Sequence, residues 1–149
     1  MASLTVRDVM NPHLLYVDEE DTALVARTKI LAFGVSGVPV LDRSYRPVGF
    51  VSLRDIADDG KTMRMSTPVV TARADESLHI AAKRLTDRNL RHLVVVDARG
   101  LAQGMLSAID LVRALIGVPP RHPKRFDADC TSEAALEGAQ ELRTSERGA

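Results

Sequence analysis

Two short motifs of the same type place a serine and an aspartate three residues apart, Ser52-x-x-Asp55 and Ser107-x-x-Asp110. Each motif falls where a predicted strand gives way to a predicted helix. A serine at such a helix start exposes backbone N–H groups to a phosphate, and the helix dipole favours the anion. The carboxylate three residues later can accept hydrogen bonds from both hydroxyls of a ribose. One helix start could therefore hold a sugar together with its phosphate.

The same spacing has a second interpretation that needs no ligand. Ser-x-x-Asp is close to a capping box, in which the serine and the acid satisfy backbone N–H groups at a helix start. The spacing alone favours this capping role. Both roles therefore stay open at this point.

The two motifs belong to an internal repeat. Shifted by 55 positions, the sequence aligns with itself without a gap from Met10 to Asp110. Agreement at one fixed offset, at positions where structure is most constrained, indicates a duplicated structural unit. The identical partners include Met10 and Met65, Ala26 and Ala81, Val40 and Val95, Asp42 and Asp97, Gly49 and Gly104, Ser52 and Ser107, and Asp55 and Asp110.

Each copy has the pattern of a β–α–β–β–α unit. Cap residues such as Thr22 and Ser77 precede segments of helical periodicity. Gly34 and Asn89, which tolerate a left-handed helix terminus, end those segments. Strands are predicted at residues 14–17, 38–41 and 47–51 in copy one, and at 68–72, 93–96 and 102–106 in copy two. A short helix closes each copy, at 53–58 and 108–116, and the aspartates after the second strands, Asp42 and Asp97, are interpreted as turn residues.

The predicted fold class is α/β (α+β), with two tandem β–α–β–β–α units. One unit covers residues 5–59, the other covers 63–117, and a flexible or weakly helical tail covers 118–149. Because a single copy would leave one sheet face uncovered, we expect the two units to pack as a pseudo-twofold pair. The link between them is short, which favours a compact arrangement.

The composition excludes several classes of protein. Twenty basic and twenty acidic side chains cancel, so no electrostatic footprint for nucleic acid or an anionic membrane is expected. No apolar run is long enough to span a bilayer, and the amino terminus lacks the features of a signal peptide. We therefore expect a cytoplasmic protein. A single cysteine, Cys130, excludes an internal disulfide and a cysteine-based zinc site.

Sequence motifs of the common catalytic classes are missing. There is no glycine-rich Walker loop, no HExxH helix and no Gly-x-Ser-x-Gly elbow. The histidines show no metal-ligand spacing. We therefore expect neither an enzyme nor a required cofactor or metal.

An ordered set of motifs, occurring twice, closely resembles the cystathionine β-synthase (CBS) domain pattern over residues 5–117. The resemblance implies a CBS-domain pair, or Bateman module, that binds AMP, ADP, ATP or S-adenosylmethionine in clefts between its two units. It also implies a regulatory role towards another protein and pairing of modules as a homodimer. The motifs are Val6-Arg7-Asp8-Val9-Met10, Val35-Ser36-Gly37-Val38-Pro39-Val40-Leu41-Asp42, Gly49-Phe50-Val51-Ser52-Leu53-Arg54-Asp55, Leu90-Arg91-His92-Leu93-Val94-Val95-Val96-Asp97 and Gly104-Met105-Leu106-Ser107-Ala108-Ile109-Asp110.

The resemblance also implies which residues build the clefts, and it shifts the Ser-x-x-Asp motifs towards ligand contact in at least one copy. The first cleft would join Leu15, Val35 and Ser36 to Ser107 and Asp110. The second cleft would join Val70, Leu90 and Arg91 to Ser52 and Asp55. Backbone groups around Leu15 and Val70 would recognise the adenine edge, and apolar side chains would cover its faces.

The two copies differ where phosphates would lie. Arg54 corresponds to Ile109, and Arg91-His92 corresponds to Ser36-Gly37. By this inference Arg54, Arg91 and His92 gather near the second cleft, which becomes the better candidate for a di- or triphosphate, with Mg²⁺ accompanying ATP. The first cleft would be empty or take a less charged ligand. Alternatively, Arg54 is a solvated helix residue and His92 a satisfied histidine at the sheet edge.

Two functional hypotheses follow. The first is a regulatory sensor that binds an adenine nucleotide or S-adenosylmethionine and acts on a partner protein. The second is a ligand-free dimerisation or docking module that uses the tail as its contact, and it predicts that Asp55→Ala and Asp110→Ala leave function intact.

Overall fold

The computed structural model describes residues 3–57 and 63–120. Residues 58–62 of the predicted link, and the predicted tail beyond residue 120 with Cys130, lie outside the described part. The elements in chain order are α1 (Val6–Val9), β1 (Val17–Asp18), α2 (Ala23–Phe33), β2 (Gly37–Leu41), β3 (Pro47–Ser52), a 3₁₀ helix (Leu53–Asp55), β4 (Thr71–Arg73), α3 (Leu78–Asp87), β5 (His92–Val96), β6 (Ala102–Ser107) and α4 (Ala108–Leu115).

The strands form two three-stranded sheets of identical topology, β1-β2-β3 and β4-β5-β6. In each sheet the first strand runs parallel to the second, and the second runs antiparallel to the third. The registers agree at the offset of the repeat, because Val38 faces Val51 in the first sheet and Leu93 faces Leu106 in the second. The duplicated unit predicted from the sequence is therefore confirmed.

The helix ends and turns follow the local chemistry of the sequence. Thr22 Oγ1 accepts a hydrogen bond from Val25 N at the start of α2. Gly34 and Asn89 have φ values of 62° and 52° after α2 and α3, as their helix-ending role predicts. Asp42 Oδ1 accepts from two backbone N–H groups of its turn, and Asp97 Oδ1 does the same in copy two. Both aspartates are confirmed as turn residues.

The closing helices of the two copies differ, and the prediction of a helix at 53–58 was wrong in length. Copy one has only a single 3₁₀ turn, Leu53–Asp55, whereas copy two has the eight-residue helix α4. Ile56 is the reason. Its backbone is extended, it is buried, and it forms a β-bridge with Met63, so it continues away from the turn instead of extending a helix.

The segment that leads each unit crosses to the other unit. Asn11 forms a β-bridge with Met105, and Ser66 forms the equivalent bridge with Phe50 at the offset of the repeat. Helix α1 hydrogen-bonds to the start of copy two through Val6 N and Glu76 O at 3.0 Å. The two units thus exchange leading segments around a pseudo-twofold axis, which accounts for their packing as a pair.

This exchange explains why a glycine occurs at the same place in both copies. A Cβ at Gly104 would collide with the backbone carbonyl oxygen of Asn11, and a Cβ at Gly49 would collide with the side chain of Met65. In each case the colliding residue belongs to the crossing segment. The repeat therefore keeps glycine where the other unit passes over the sheet.

Two apolar cores lie one in each unit. Each packs the α2 or α3 helix on the buried strand face, and the α1 residues Val6 and Val9 join the core of copy two. The largest fully buried side chains of copy two are Leu93, Leu106, Val94 and Val95, and those of copy one, with α1, are Ile30, Leu41, Val6, Val17, Val38, Val40, Val51 and Pro39. In the described part of the chain, no helix is long and apolar enough to cross a membrane.

Candidate functional site

Both Ser-x-x-Asp motifs lie at strand-to-helix corners, where they form the hydrogen bonds of a capping box. Asp55 Oδ2 accepts from Ser52 N at 2.7 Å and from Ser52 Oγ at 3.0 Å. Asp110 Oδ2 accepts from Ser107 N at 2.9 Å, while Ser107 Oγ accepts from Asp110 N at 3.2 Å. The capping interpretation is thus confirmed for both copies.

Capping occupies only part of each carboxylate. In the described residues, the hydrogen bonds to the carboxylates of Asp55 and Asp110 all end on Oδ2. The other oxygen, Oδ1, keeps its lone pairs for a further donor such as a hydroxyl group. Capping and ligand contact are therefore compatible at the same side chain.

The corner of copy one faces a cavity of about 650 Å³, in the range of small-molecule sites. All seven residues expected at the second cleft line it: Ser52, Arg54, Asp55, Val70, Leu90, Arg91 and His92. Residues from both units contribute, because the corner belongs to copy one and the opposite wall comes from the segment before β4 and from β5 with the residues before it. The structure thus brings these seven residues together around one cavity.

The corner of copy two faces a second cavity of about 460 Å³. Four of the five residues expected at the first cleft line it: Leu15, Val35, Ser107 and Asp110. Ser36 does not. Its side chain lines the second cleft instead, with its Oγ 3.3 Å from His92 Nε2.

Ser36 lies at a bend directly before β2, and its side chain points away from the cleft that Val35 and Gly37 line. Successive side chains along a strand point to opposite faces. Val35, Gly37 and Pro39 line the first cleft, so Ser36 between them points the other way. The assignment of Ser36 to the first cleft was therefore wrong, and applying the two-residue period to this segment would have corrected it.

Two charged or titratable residues of the first cleft were missed by the sequence analysis. Arg113 and His13 both line this cavity. Arg113 is three residues after Asp110, so a helical period places it beside the acid. His13 follows the crossing segment, whose placement depends on contacts far apart in sequence. The first cleft therefore contains a positive side chain, that of Arg113, which the sequence analysis did not expect there.

His92 is the residue that both cavities share. Its ring stacks on Phe50 with a centroid distance of 5.8 Å and an interplanar angle of 22°. Burial lowers the pKa of His92 below its ordinary value of 6.5, and Arg91 lowers it further, whereas the Asp110 carboxylate raises it. The imidazole is therefore held mainly neutral at pH 7.

The two clefts contain groups that can bind a small polar ligand. Each combines a carboxylate oxygen, hydroxyl and backbone donors, at least one arginine and apolar walls. Among residues 3–57 and 63–120, no cluster of three or more histidine, cysteine or acidic side chains could hold a metal ion.

Comparison with known families identifies the family to which the repeated unit belongs. The CBS domain model matches residues 6–59 and again residues 61–117. The chain belongs to the CBS domain family. Its two units are consecutive CBS domains, as the motifs of the sequence predicted.

Solved CBS-domain pairs have the same fold. The CBS domain pair of MJ0100, in complex with 5′-methylthioadenosine and S-adenosyl-L-methionine, aligns with a TM-score of 0.70 at 22% identity, covering 77% of this chain and 98% of that one. CBSX2 in complex with AMP aligns with a TM-score of 0.67 at 31% identity, covering 76% and 96%. The predicted fold class is confirmed.

A curated relative of greater length contains a similar region. Homoserine O-acetyltransferase of Methanosphaerula palustris is 35% identical over 121 residues, which make up 77% of this chain and 24% of that protein. The CBS-domain chain thus spans about a quarter of the length of that relative.

Proposed function

We propose that this CBS-domain pair is a regulatory sensor that binds adenine nucleotides or S-adenosylmethionine in its two clefts. One observation carries the proposal: each Ser-x-x-Asp corner opens into a cavity built by both units. The ligands bound by MJ0100 and CBSX2, S-adenosyl-L-methionine with 5′-methylthioadenosine and AMP respectively, support the same ligand class. The proposed role is regulatory and not catalytic.

In the second cleft the proposed ligand is ADP or ATP. Asp55 Oδ1 accepts from the ribose hydroxyls, and the adenine ring lies against Val70 and Leu90. The phosphates extend towards Arg54 and Arg91, whose guanidinium groups are exposed at the same cavity. Two arginines suit a polyphosphate because each makes charge-assisted hydrogen bonds with phosphate oxygens. Mg²⁺ enters with ATP as part of the ligand.

In the first cleft the proposed ligand is AMP or S-adenosylmethionine. The adenine ring lies near Leu15 and Val35, and Asp110 contacts the ribose. Arg113 balances a single phosphate or a carboxylate. A smaller cavity with one arginine fits a smaller negative charge than the second cleft.

Binding would act on a partner protein through the pair of units. Because each cleft has walls from both units, a ligand that prefers one relative orientation shifts the population towards it. In the proposal, two CBS-domain pairs associate as a homodimer in the cytoplasm and transmit this shift to the regulated protein.

A ligand-free docking module is the alternative, and two observations favour it. Both corners are capped without any ligand. In addition, α4 and the residue after it expose apolar side chains, with Val112 48%, Leu115 85% and Ile116 67% exposed. In this alternative the exposed side chains contact the partner and the clefts are unused.

Thermal unfolding with and without ligand separates the two functions. The chain is heated alone and with millimolar AMP, ADP, ATP or S-adenosylmethionine. A ligand present at about 100 times its dissociation constant adds about 2.7 kcal/mol to the free energy of unfolding. The sensor predicts a rise in melting temperature with at least one adenine compound and none with matched guanosine monophosphate. No rise with any of the four supports the docking module.

A further inference from the structure

His92 lies between the two clefts and contacts structure on both sides. It is the first residue of β5, and its ring lines both cavities. On the side of the second cleft, its Nε2 is 3.3 Å from Ser36 Oγ. The opposite side faces the cavity bounded by Ser107, Asp110 and Arg113. A change in the charge of this one ring therefore reaches ligands in either cleft.

Copy one has no counterpart of this side chain. The residue 55 positions earlier is Gly37, and a Cβ there would lie 2.7 Å from the Phe50 ring. The Phe50 ring, which stacks on His92, occupies that space. The imidazole of His92 thus lies between the two clefts, and copy one has no side chain at the equivalent position.

Several charged and titratable groups surround His92, and their signs differ between elements. Asp110 on α4 favours the imidazolium, whereas Arg91 next to it in the chain opposes it. The others share a cavity with the ring: Arg54 and Asp55 at the second cleft, and Arg113 and His13 at the first.

We propose that His92 couples the two clefts, so that a phosphate ligand in one cleft tightens binding of a phosphate ligand in the other. This coupling rests on the nucleotide-binding function proposed above. An anion in either cleft stabilises the imidazolium form of His92. The protonated ring then attracts a second anion in the opposite cleft.

The sign of the coupling follows from linkage. Two ligands that both bind more tightly to the protonated protein favour each other at a pH where the free protein is mainly unprotonated and ligand binding makes it take up the proton. Burial lowers the pKa of His92, so the free ring is mainly neutral near pH 7. Coupling should therefore occur where ligand binding protonates the ring. It should decline in acid, which protonates the free ring, and in alkali, which leaves the ring neutral in every state. Binding of the first ligand should also cause the protein to take up a fraction of a proton at His92.

Calorimetric titration with AMP tests the coupling. The affinity of each cleft alone is measured in Val35→Phe, which fills part of the first cleft, and in Val70→Phe, which fills part of the second, because neither substitution changes a charge near His92. The unsubstituted chain is then titrated in two buffers of different ionisation enthalpy, between about pH 5 and pH 8. Matched substitutions are His92→Gln, which cannot be protonated, and His79→Gln on the exposed face of α3.

The expected result is two binding events whose combined affinity near pH 7 exceeds the product of the separate affinities by about fivefold or more. The excess and the proton uptake disappear in His92→Gln and persist in His79→Gln. Two independent events, a single event, or binding without proton uptake overturns the coupling and leaves nucleotide binding intact. No AMP binding by any variant overturns the proposed function itself. If His92→Gln fails to fold, His92→Phe, which keeps a ring against Phe50 and cannot be protonated, is titrated in its place with the same expected result.

Discussion

Lys29 and Arg84 occupy equivalent places in the two copies and donate to equivalent backbone carbonyls. Lys29 Nζ donates to Tyr16 O at 3.0 Å, and Arg84 Nη1 donates to Thr71 O at 2.8 Å. Each bond ties the helix of its unit to the backbone at the start of the first strand. Because Leu15 and Val70 immediately precede these carbonyls, the two cations fix the backbone that is proposed to recognise adenine.

The copies differ in how the cation is balanced. Arg84 Nη2 forms an ion pair with Glu76 Oε2 at 2.9 Å. The equivalent of Glu76 is the shorter Asp21, and Lys29 instead lies 5.8 Å from the centroid of the Tyr16 ring. Burial lowers the pKa of Lys29, an effect that Asp21 and Asp18 partly offset.

Removing the cation of copy one should destabilise the fold. Lys29 is only 4% exposed, so Lys29→Met leaves the Tyr16 carbonyl without this donor. We expect a loss of about 1–3 kcal/mol in the free energy of unfolding, measured by urea denaturation. Lys83→Met is the matched control, since Lys83 pairs with Asp87 at the surface and should cost less than about 0.5 kcal/mol. Equal stability of the two variants would contradict the role of Lys29.

The crossing segments predict unequal effects of the same substitution at two equivalent glycines. Gly104→Ala forces a Cβ against the backbone oxygen of Asn11, which cannot move without shifting the segment. Gly49→Ala meets the side chain of Met65, which is 44% exposed and can turn away. We expect a loss of about 1–3 kcal/mol for Gly104→Ala and a smaller loss for Gly49→Ala, by thermal or urea unfolding. A larger loss for Gly49→Ala than for Gly104→Ala would contradict the close passage of residues 11 and 12 over Gly104.

His92 should make the stability of the ligand-free chain depend on pH. Its folded pKa lies below 6.5, so the unfolded chain takes up a proton at a higher pH than the folded one. The contribution of His92 to the free energy of unfolding is therefore fully present above pH 6.5, and it is lost as the pH decreases through the folded pKa. Urea unfolding at a series of pH values should show this fall in the unsubstituted chain and in His79→Gln, but reduced in His92→Gln. An unchanged fall in His92→Gln would assign it to other groups.

The arginines should separate the two clefts by ligand charge. Arg54→Ala and Arg91→Ala should each weaken ATP binding by about tenfold or more, because each loses a charge-assisted contact. AMP binding at the first cleft should change little. Arg113→Ala should weaken AMP binding at the first cleft and change ATP binding little. Arg99→Ala, in the turn before β6, should affect the binding of neither ligand. Calorimetric titration measures all four, and equal losses for AMP and ATP at Arg54 would argue against a polyphosphate in the second cleft.

Local chemistry predicted much of the fold. Helix ends at Gly34 and Asn89, turns at Asp42 and Asp97, and strands within a few residues of their positions followed from residue types and the repeat. What the sequence did not predict depends on contacts between distant residues. Ile56 has a helical pattern, yet its bridge to Met63 draws the chain out of the helix. The crossing of α1 to copy two has no local signal, because its hydrogen bonds to residues 74–78 form only in the assembled pair.

The candidate site was predicted in the same uneven way. The Ser-x-x-Asp corners and the lining of the second cleft followed from the motifs. Ser36 was placed in the wrong cleft, because only the direction of its side chain distinguishes the two. Arg113 was overlooked although its spacing from Asp110 marks it, whereas His92 reaches both clefts through packing that no motif describes.

The most direct measurement is the number of AMP molecules bound per chain, by calorimetric titration of four proteins: the unsubstituted chain, Asp55→Asn, Asp110→Asn and the double variant. Asparagine keeps an oxygen for the Ser52 and Ser107 backbone donors, so the caps remain while the charge offered to ribose is lost. The account predicts two bound molecules for the unsubstituted chain, one for each single variant at its unchanged cleft, and binding weakened by about tenfold or more at both clefts of the double variant. Undiminished AMP binding by the double variant, or no binding by the unsubstituted chain, would contradict it.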